Sequence, residues 1–277
     1  MTRIGTVGLA FAAAVAFAPA AHAGAMWDGF VAVGGSLDKF AFTPSTPGDG
    51  ATGHSEDIRL SVARLFPGNW GVQFDAMLDN QTVVYDIAPG TPYWAGRGDA
   101  ALHAFYRRPG HFLFGAVYQY GGEFSDAYGT SGVLPRNYIG LESEIYHGNF
   151  SFYGQAASLQ YYGIDGYGNG ATARLRARYY VKPNLRVEGF GRWTEVADTP
   201  GLITVWDWGG GAEYQLASTP FSVALKYEHE RTIVGFGQYD SDAVLGTFRW
   251  SFNDRTLLAN DQGGASLDPF GELRLLR

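Results

Sequence analysis

Five arginines stand at alternating positions on two neighbouring segments: Arg174, Arg176 and Arg178 on one, Arg186 and Arg192 on the other. Alternate residues of an extended chain share a face, so each set lines one side of its segment. A guanidinium stays charged and presents forked donors that match carboxylate, phosphate or sulfate. Acids recur at the same kind of spacing at Glu142, Glu144, Glu188, Glu213 and Glu228. Two sets of opposite sign around an enclosed space admit two outcomes. They set up a field across a narrow wet passage and favour small anionic or polar solutes, or they pair and fill the space as a cross-linked plug. Both stay open at this level.

Other chemistry finds little support. There is no Cys, which excludes disulfides, thiolate metal sites and cysteine nucleophiles together. The histidines, His22, His54, His103, His111, His147 and His229, show no metal-ligand spacing. Glu228-His229-Glu230-Arg231 lacks the second His of a metalloprotease helix, and Asp240-Ser241-Asp242 nearby reads as solvated loop acid. Gly166-Tyr167-Gly168-Asn169-Gly170-Ala171 has the glycines of a phosphate loop but no helix after it to supply the anion-binding N-terminus. A formal net charge of -7 argues against nucleic-acid binding. No catalytic residue, metal or cofactor is therefore expected.

The elements that hold these residues are read as strands. The 277-residue chain is charge-poor at 17% and aromatic-rich at 16%, with 39 Gly. Residues 1–23 form a separate unit: Arg3, an apolar run from Val7 to Ala18, then Ala21-His22-Ala23, the layout of a cleaved secretory signal peptide. Beyond it no apolar stretch is long enough to span a bilayer as a helix. Turn signals recur instead at Pro67-Gly68-Asn69, Arg108-Pro109-Gly110, His147-Gly148-Asn149, Lys182-Pro183-Asn184 and Ser218-Thr219-Pro220. Between them lie longer polar connections, at 38–56, 80–97, 121–134, 162–169, 195–204 and 230–240. Twelve segments of alternating polarity, most of ten or eleven residues, separate these breaks. Their apolar faces include Trp70/Val72/Phe74/Ala76/Leu78 and Phe112/Phe114/Ala116/Tyr118/Tyr120.

The opposite faces carry the arginines and acids above, with Arg59, Asp75, Asp79, Asp99, His103, Asp207, Lys226 and Arg249. Charge on alternate residues of twelve strands predicts an inverted arrangement, apolar side chains to lipid and charges to a wet interior. Aromatics near the strand ends (Trp27, Trp70, Tyr106, Tyr120, Tyr146, Tyr179, Trp193, Trp206, Tyr214, Tyr227, Trp250) then form two interfacial girdles.

In the last segment Val244, Gly246, Phe248, Trp250 and Phe252 alternate with Leu245, Thr247, Arg249 and Ser251. This resembles the terminal strand of Gram-negative outer-membrane β-barrels, which ends on an aromatic and is read by the barrel-assembly machinery. Here 25 residues follow Phe252. The resemblance is one of overall pattern, without a specific family motif. It implies a closed, up-and-down antiparallel transmembrane barrel over residues 24–252, with short periplasmic turns and long external loops. The residues beyond it depart from the family pattern, and 253–277 read as a C-terminal periplasmic tail, with a lumen plug as the alternative. The resemblance also implies outer-membrane lipid and lipopolysaccharide around the wall. The plan is similar to that of twelve-stranded channels for acidic sugars, so porin-like diffusion of small hydrophilic, anionic solutes is the expected function, with Arg174, Arg176, Arg178, Arg186 and Arg192 as selectivity residues. The alternatives are a closed accessory barrel that binds a partner or surface polysaccharide through its loops, and an outer-membrane lipid hydrolase.

Overall fold

The computed structural model describes residues 27–43, 50–86, 92–125, 132–163, 166–198, 201–235, 237–253 and 255–269. The proposed signal peptide lies outside them. Twelve strands follow one another: β1 (Trp27–Thr43), β2 (Gly50–Leu65), β3 (Trp70–Tyr85), β4 (Tyr93–Arg108), β5 (Phe112–Ser125), β6 (Gly132–His147), β7 (Phe150–Gly163), β8 (Gly166–Lys182), β9 (Leu185–Asp198), β10 (Gly201–Gln215), β11 (Phe221–Val234) and β12 (Gly237–Ser251). Each pairs antiparallel with its neighbours in sequence, and β1 pairs with β12 from Phe30↔Ser251 to Thr43↔Gln238, which closes the barrel and leaves no free edge. One short helix follows, α1 (Leu257–Gly263).

The reversals at one end are as tight as the turn signals predict. Gly68, Gly110 and Gly148 adopt positive φ there, as do Asn69 and Ser218, conformations that glycine and asparagine accept at low cost. The opposite end differs from expectation. Strands of up to 17 residues run into the polar stretches expected as long loops. The reason is length. A 16-residue strand is about 53 Å long and, tilted by about 40°, rises about 40 Å, whereas the apolar band of such a barrel is only about 25 Å tall. The longest strands thus exceed the apolar band, and their excess length can carry polar sequence while it is still paired sheet.

Side-chain polarity is inverted. Leu175 is 72% exposed on the outer wall, Ile139 67% and Leu225 62%, while Glu144 and His103 inside are fully buried. The apolar faces of β3 and β5 point outward, with Trp70, Phe74, Leu78, Phe112, Phe114, Tyr118 and Tyr120 all exposed. Outer aromatics meet near the tight-turn end, where Trp70 lies edge-on to Tyr106 at 5.5 Å, Phe150 packs on Tyr179 at 4.6 Å and Phe221 on Phe248 at 5.5 Å. Tyr146 is a correction to the expected girdle: its position on β6 points inward, and its hydroxyl donates to Glu144 at 2.9 Å. On β12, Val244 and Phe248 are exposed outward, and Phe252 folds onto the same outer face against Val31, Ile58, Leu60, Val62 and Trp250.

The tail is the second correction. It was expected outside the barrel, yet residues 255–269 fold into the interior from the tight-turn end. Thr256 caps α1 by accepting from the Ala259 amide at 3.3 Å, and Leu257, Asn260 and Asp261 form the buried face. Leu258 N–H donates to the Pro183 carbonyl and Gln262 to the Gly148 carbonyl, so the helix lies against two of the tight turns. Gly264 ends it, and a Cβ there would stand 2.3 Å from an Asp28 carboxylate oxygen, a space only glycine leaves free.

Replacing Leu175 by Arg tests the inverted wall. In lipid the change is expected to destabilise the barrel by roughly 2–4 kcal/mol, measured by reversible urea unfolding from vesicles. A wall facing water would register almost nothing.

Candidate functional site

The interior is a layered lumen. Toward the tight-turn end, Phe105, Leu113 and Tyr153 pack with Leu267 of the tail, and Leu65 borders them. Further along, Ala101, Val117, Tyr138, Ala157, Leu159, Tyr161, Val196 and Val205 form an apolar belt contributed by β4 to β10. At the far end Phe40, Ala51 and Val83 form a third group. Between and beside these layers run the charges.

The five arginines do not form one uniform track. Arg186 lies 2.6 Å from Glu213 and 3.4 Å from Glu188, and Arg192 lies 2.9 Å from Asp207 and 3.4 Å from Glu230. Arg178 reaches Glu144 at 2.8 Å, Asp261 at 2.6 Å and Asp268 at 2.9 Å, and stands 3.9 Å from Glu188. Arg176 reaches Asp268 at 2.5 Å, and Arg174 donates to the Pro269 carbonyl at 3.3 Å. Of the five expected opposing acids, Glu144, Glu188 and Glu213 meet arginines of the set. Glu142 instead holds a histidine, and Glu228, half-buried on the lumen face of β11, makes none of these pairs among the described residues.

Sequence spacing missed part of this network. Arg97 and Arg136 both pair with Asp99, at 3.1 and 2.8 Å, and Arg107 donates to the Gly264 carbonyl and to Ser266 Oγ. Arg97 and Glu230 fell in stretches read as loops, and Arg107 and Arg136 at strand ends, so inward alternation was not carried through them. Asp261 and Asp268 belong to the tail, where no periodic signal marks them.

His103 is the hub of the wall beneath the tail. Its Nδ1 lies 2.9 Å from Glu142 Oε1 and its Nε2 3.0 Å from Asp75 Oδ2, with the ring fully buried. Each ring nitrogen faces a carboxylate, an arrangement that suits an imidazolium shared by two acids. The same acids reach the tail through intermediaries. Gln73 donates to Asp75 and to the Leu267 carbonyl at 2.7 Å. Tyr153 and Gln155 donate to Glu142 and also to the Asp268 carbonyl, Gln155 at 2.6 Å. Burial pushes the Asp268 carboxyl up, but Arg176, Arg178 and Arg174 outweigh it and hold it well below the usual carboxylate range.

A closed wall with apolar residues outside and paired charges inside defines the chain as a transmembrane-type β-barrel with a side-chain-filled lumen. No protein-family model matches it, and no curated protein sequence does. Solved structures do. It is similar to the COG4313 outer membrane channel from Pseudomonas putida F1, at 11% identity and a TM-score of 0.63 over 83% of this chain and 97% of that one. It is also similar to the beta domain of the Bordetella autotransporter Brka, at 12% identity and 0.51 over 81% and 99%. A third is the translocator domain of the autotransporter NalP from Neisseria meningitidis, at 10% and 0.50 over 88% and 96%. The fold is that of outer-membrane β-barrels.

Two outcomes follow from this geometry. His103→Ala leaves Asp75 and Glu142 buried without their shared cation and is expected to cost roughly 3–5 kcal/mol; adding Asp75→Asn and Glu142→Gln should recover most of it in the same urea titration. The second concerns pH. The folded-state pKa of Asp268 is depressed, so its contribution to tail docking is complete above the ordinary value of about 3.9 and is lost only as pH falls through the lower folded value. A spin label on Ala259→Cys, the single thiol in this chain, should keep an immobilised spectrum from pH 8 to pH 5. Narrowing within that range would contradict the Asp268 clamp.

Proposed function

We propose that the chain is a porin-like barrel of the Gram-negative outer membrane that passes small hydrophilic solutes, anions in preference, and whose lumen its own C-terminal segment occupies at rest. The supporting observation is the sign and arrangement of the lumen wall: arginines on β8 and β9 line one side, and the segment that meets Arg174, Arg176 and Arg178 on β8 is not part of the wall. A wall strand cannot leave without opening the barrel, but a tail attached only at Phe252 can. The likeness in fold to an outer membrane channel agrees with this reading. Residues 1–23 direct export, and β12 with Val244, Phe248, Trp250 and Phe252 outward presents the segment that the assembly machinery reads. The exposed apolar wall then meets outer-membrane lipid and lipopolysaccharide. No catalysis is proposed. His229 lies 2.9 Å from Asp242 and packs at a tilt on Trp208 on the outer wall, but among the described residues no serine hydrogen-bonds to it as a nucleophile would.

One observation favours the closed accessory barrel, namely the extent of pairing around Asp99, Glu213 and Arg192 and the apolar belt beside it. Planar-bilayer recording separates the two. The mature chain should give small stable steps with an anion-shifted reversal potential in a salt gradient. A chain ending at Asn253 should give larger steps, and Arg174→Ala with Arg176→Ala should lower the anion preference. Silence from both full-length and shortened chains, each shown folded by heat-modifiable mobility, would establish the closed barrel.

A further inference from the structure

Arg174 and Arg176 differ from the other three arginines in what holds them. Wall carboxylates pair with Arg178, Arg186 and Arg192. Among the described residues, the only ion pair of Arg176 is to Asp268, and Arg174 meets no carboxylate, only the Pro269 carbonyl. Both guanidiniums flank the ring of Phe190, at 5.8 and 5.9 Å from its centroid, and Lys226 Nζ approaches the same ring at 5.1 Å. Three cations are thus gathered around one aromatic ring, and the wall acid that reaches them is Glu188, 3.6 Å from Lys226. Collecting like charges in a lumen is unfavourable unless an anion joins them. Glu188 supplies one negative charge from the wall, and the tail supplies a second through Asp268. Its carboxylate is 22% exposed, and a cavity of about 40 Å³ bordered by Arg178, Arg249, Asp261 and Asp268 lies beside it, so water reaches this position.

We propose that Arg176 and Arg178, with Arg174 and Lys226 beside them around Phe190, form a binding site for a small oxyanion, a carboxylate or a phosphate, and that Asp268, held by Arg176 and Arg178, is its tethered occupant. The proposal rests on the passage reading above, since a solute must reach the site through the lumen. The forked donors of two arginines suit the two or three oxygens of such an anion. The tether gives Asp268 an effective concentration in the millimolar range or higher, so an outside anion competes at a disadvantage that the tail sets.

The test uses the full mature chain in detergent and inorganic phosphate as the probe, with acetate as a second arm and chloride at equal ionic strength as the control. Calorimetric titration should show Asp268→Asn binding phosphate at least about tenfold more tightly than the unaltered chain. The same chain carrying Arg174→Ala and Arg176→Ala as well should lose that binding. Acetate should follow the same order, because the site reads oxygens on a planar or tetrahedral anion and not phosphate alone. Equal affinity with and without Asp268→Asn would overturn the tethered occupant, and binding that survives loss of both arginines would overturn the site. If Asp268→Asn does not give the folded, heat-modifiable form, Asp268→Ser replaces it in the same titration. Conductance is read separately. Asp268-dependent phosphate binding in a silent barrel keeps the site and sinks the passage, whereas a conducting barrel indifferent to Asp268 keeps the passage and sinks the site.

Discussion

The constraint on which this structure turns is the cost of enclosing ionised groups. A closed barrel with lipid outside must put its polar faces inward, and twelve such faces enclose far more charge than a small domain ever buries. Each unpaired ion held away from water costs several kcal/mol. The wall answers by placing opposite charges within reach along one strand or one to two strands apart. Asp99 sits between Arg97 and Arg136, Glu213 between Arg186 and Arg249, and His103 between Asp75 and Glu142. Register makes this possible. Asp207 faces Arg192 directly across β9 and β10, as Glu213 faces Arg186, so pairing is set by strand alignment as much as by side-chain reach.

The tail completes the pairing that the wall leaves unfinished. Arg176 and Arg178 reach beyond β8 to Asp268, and Asp261 takes a further hydrogen bond from Arg178 and one from Ser151. Main-chain carbonyls of Gly264, Leu267, Asp268 and Pro269 accept from Arg107, Gln73, Gln155 and Arg174. A segment with little regular structure thus supplies acceptors to a wall rich in donors, as a lumen of arginines and glutamines requires. The apolar part is small, with Leu267 against Phe105, Leu113 and Tyr153. Docking is therefore mainly polar and electrostatic, a form of contact that water and dissolved ions can replace more readily than a packed apolar core.

The barrel was legible because its signal is periodic and repeated. Alternation in β3, β5 and β9 points most apolar residues outward, with Met77, Leu113, Val117, Phe190 and Val196 among the inward exceptions, and a one-residue error in reading any of them would reverse the whole face. The lumen positions of Arg174 through Arg192 and of Glu142, Glu144 and Glu213 follow from the same period. What escaped did so for two physical reasons. Polar residues on strands that overhang the membrane resemble loop, so Arg97 and Glu230 were left out although they alternate inward. The tail has no period at all. Its place inside the lumen depends on Gly264, Leu267 and Asp268 meeting groups on β1, β3, β4, β7 and β8, which are separated from it by much of the chain. Tyr146 shows the remaining weakness: aromatic type and position near a strand end suggest a girdle, but parity on β6 decides, and it points to Glu144.

The division between wall pairs and tail pairs also bears on how such a lumen could change state without losing the barrel. Removing the tail strips Arg176 of its carboxylate but leaves Arg178 with Glu144, Arg186 with Glu213 and Arg192 with Asp207. The His103 centre likewise keeps both acids, because Gln73, Tyr153 and Gln155 can turn their freed hydrogen-bonding groups to water while still touching Asp75 and Glu142. Stability of the wall and occupancy of the lumen are thus carried by different contacts. The exceptions are concentrated on β8, where Arg174 and Arg176 depend on whatever anion stands beside them. A barrel whose charges were all satisfied by its own strands would offer no such groups; here Arg107, Arg174 and Arg176 find their partners on the tail.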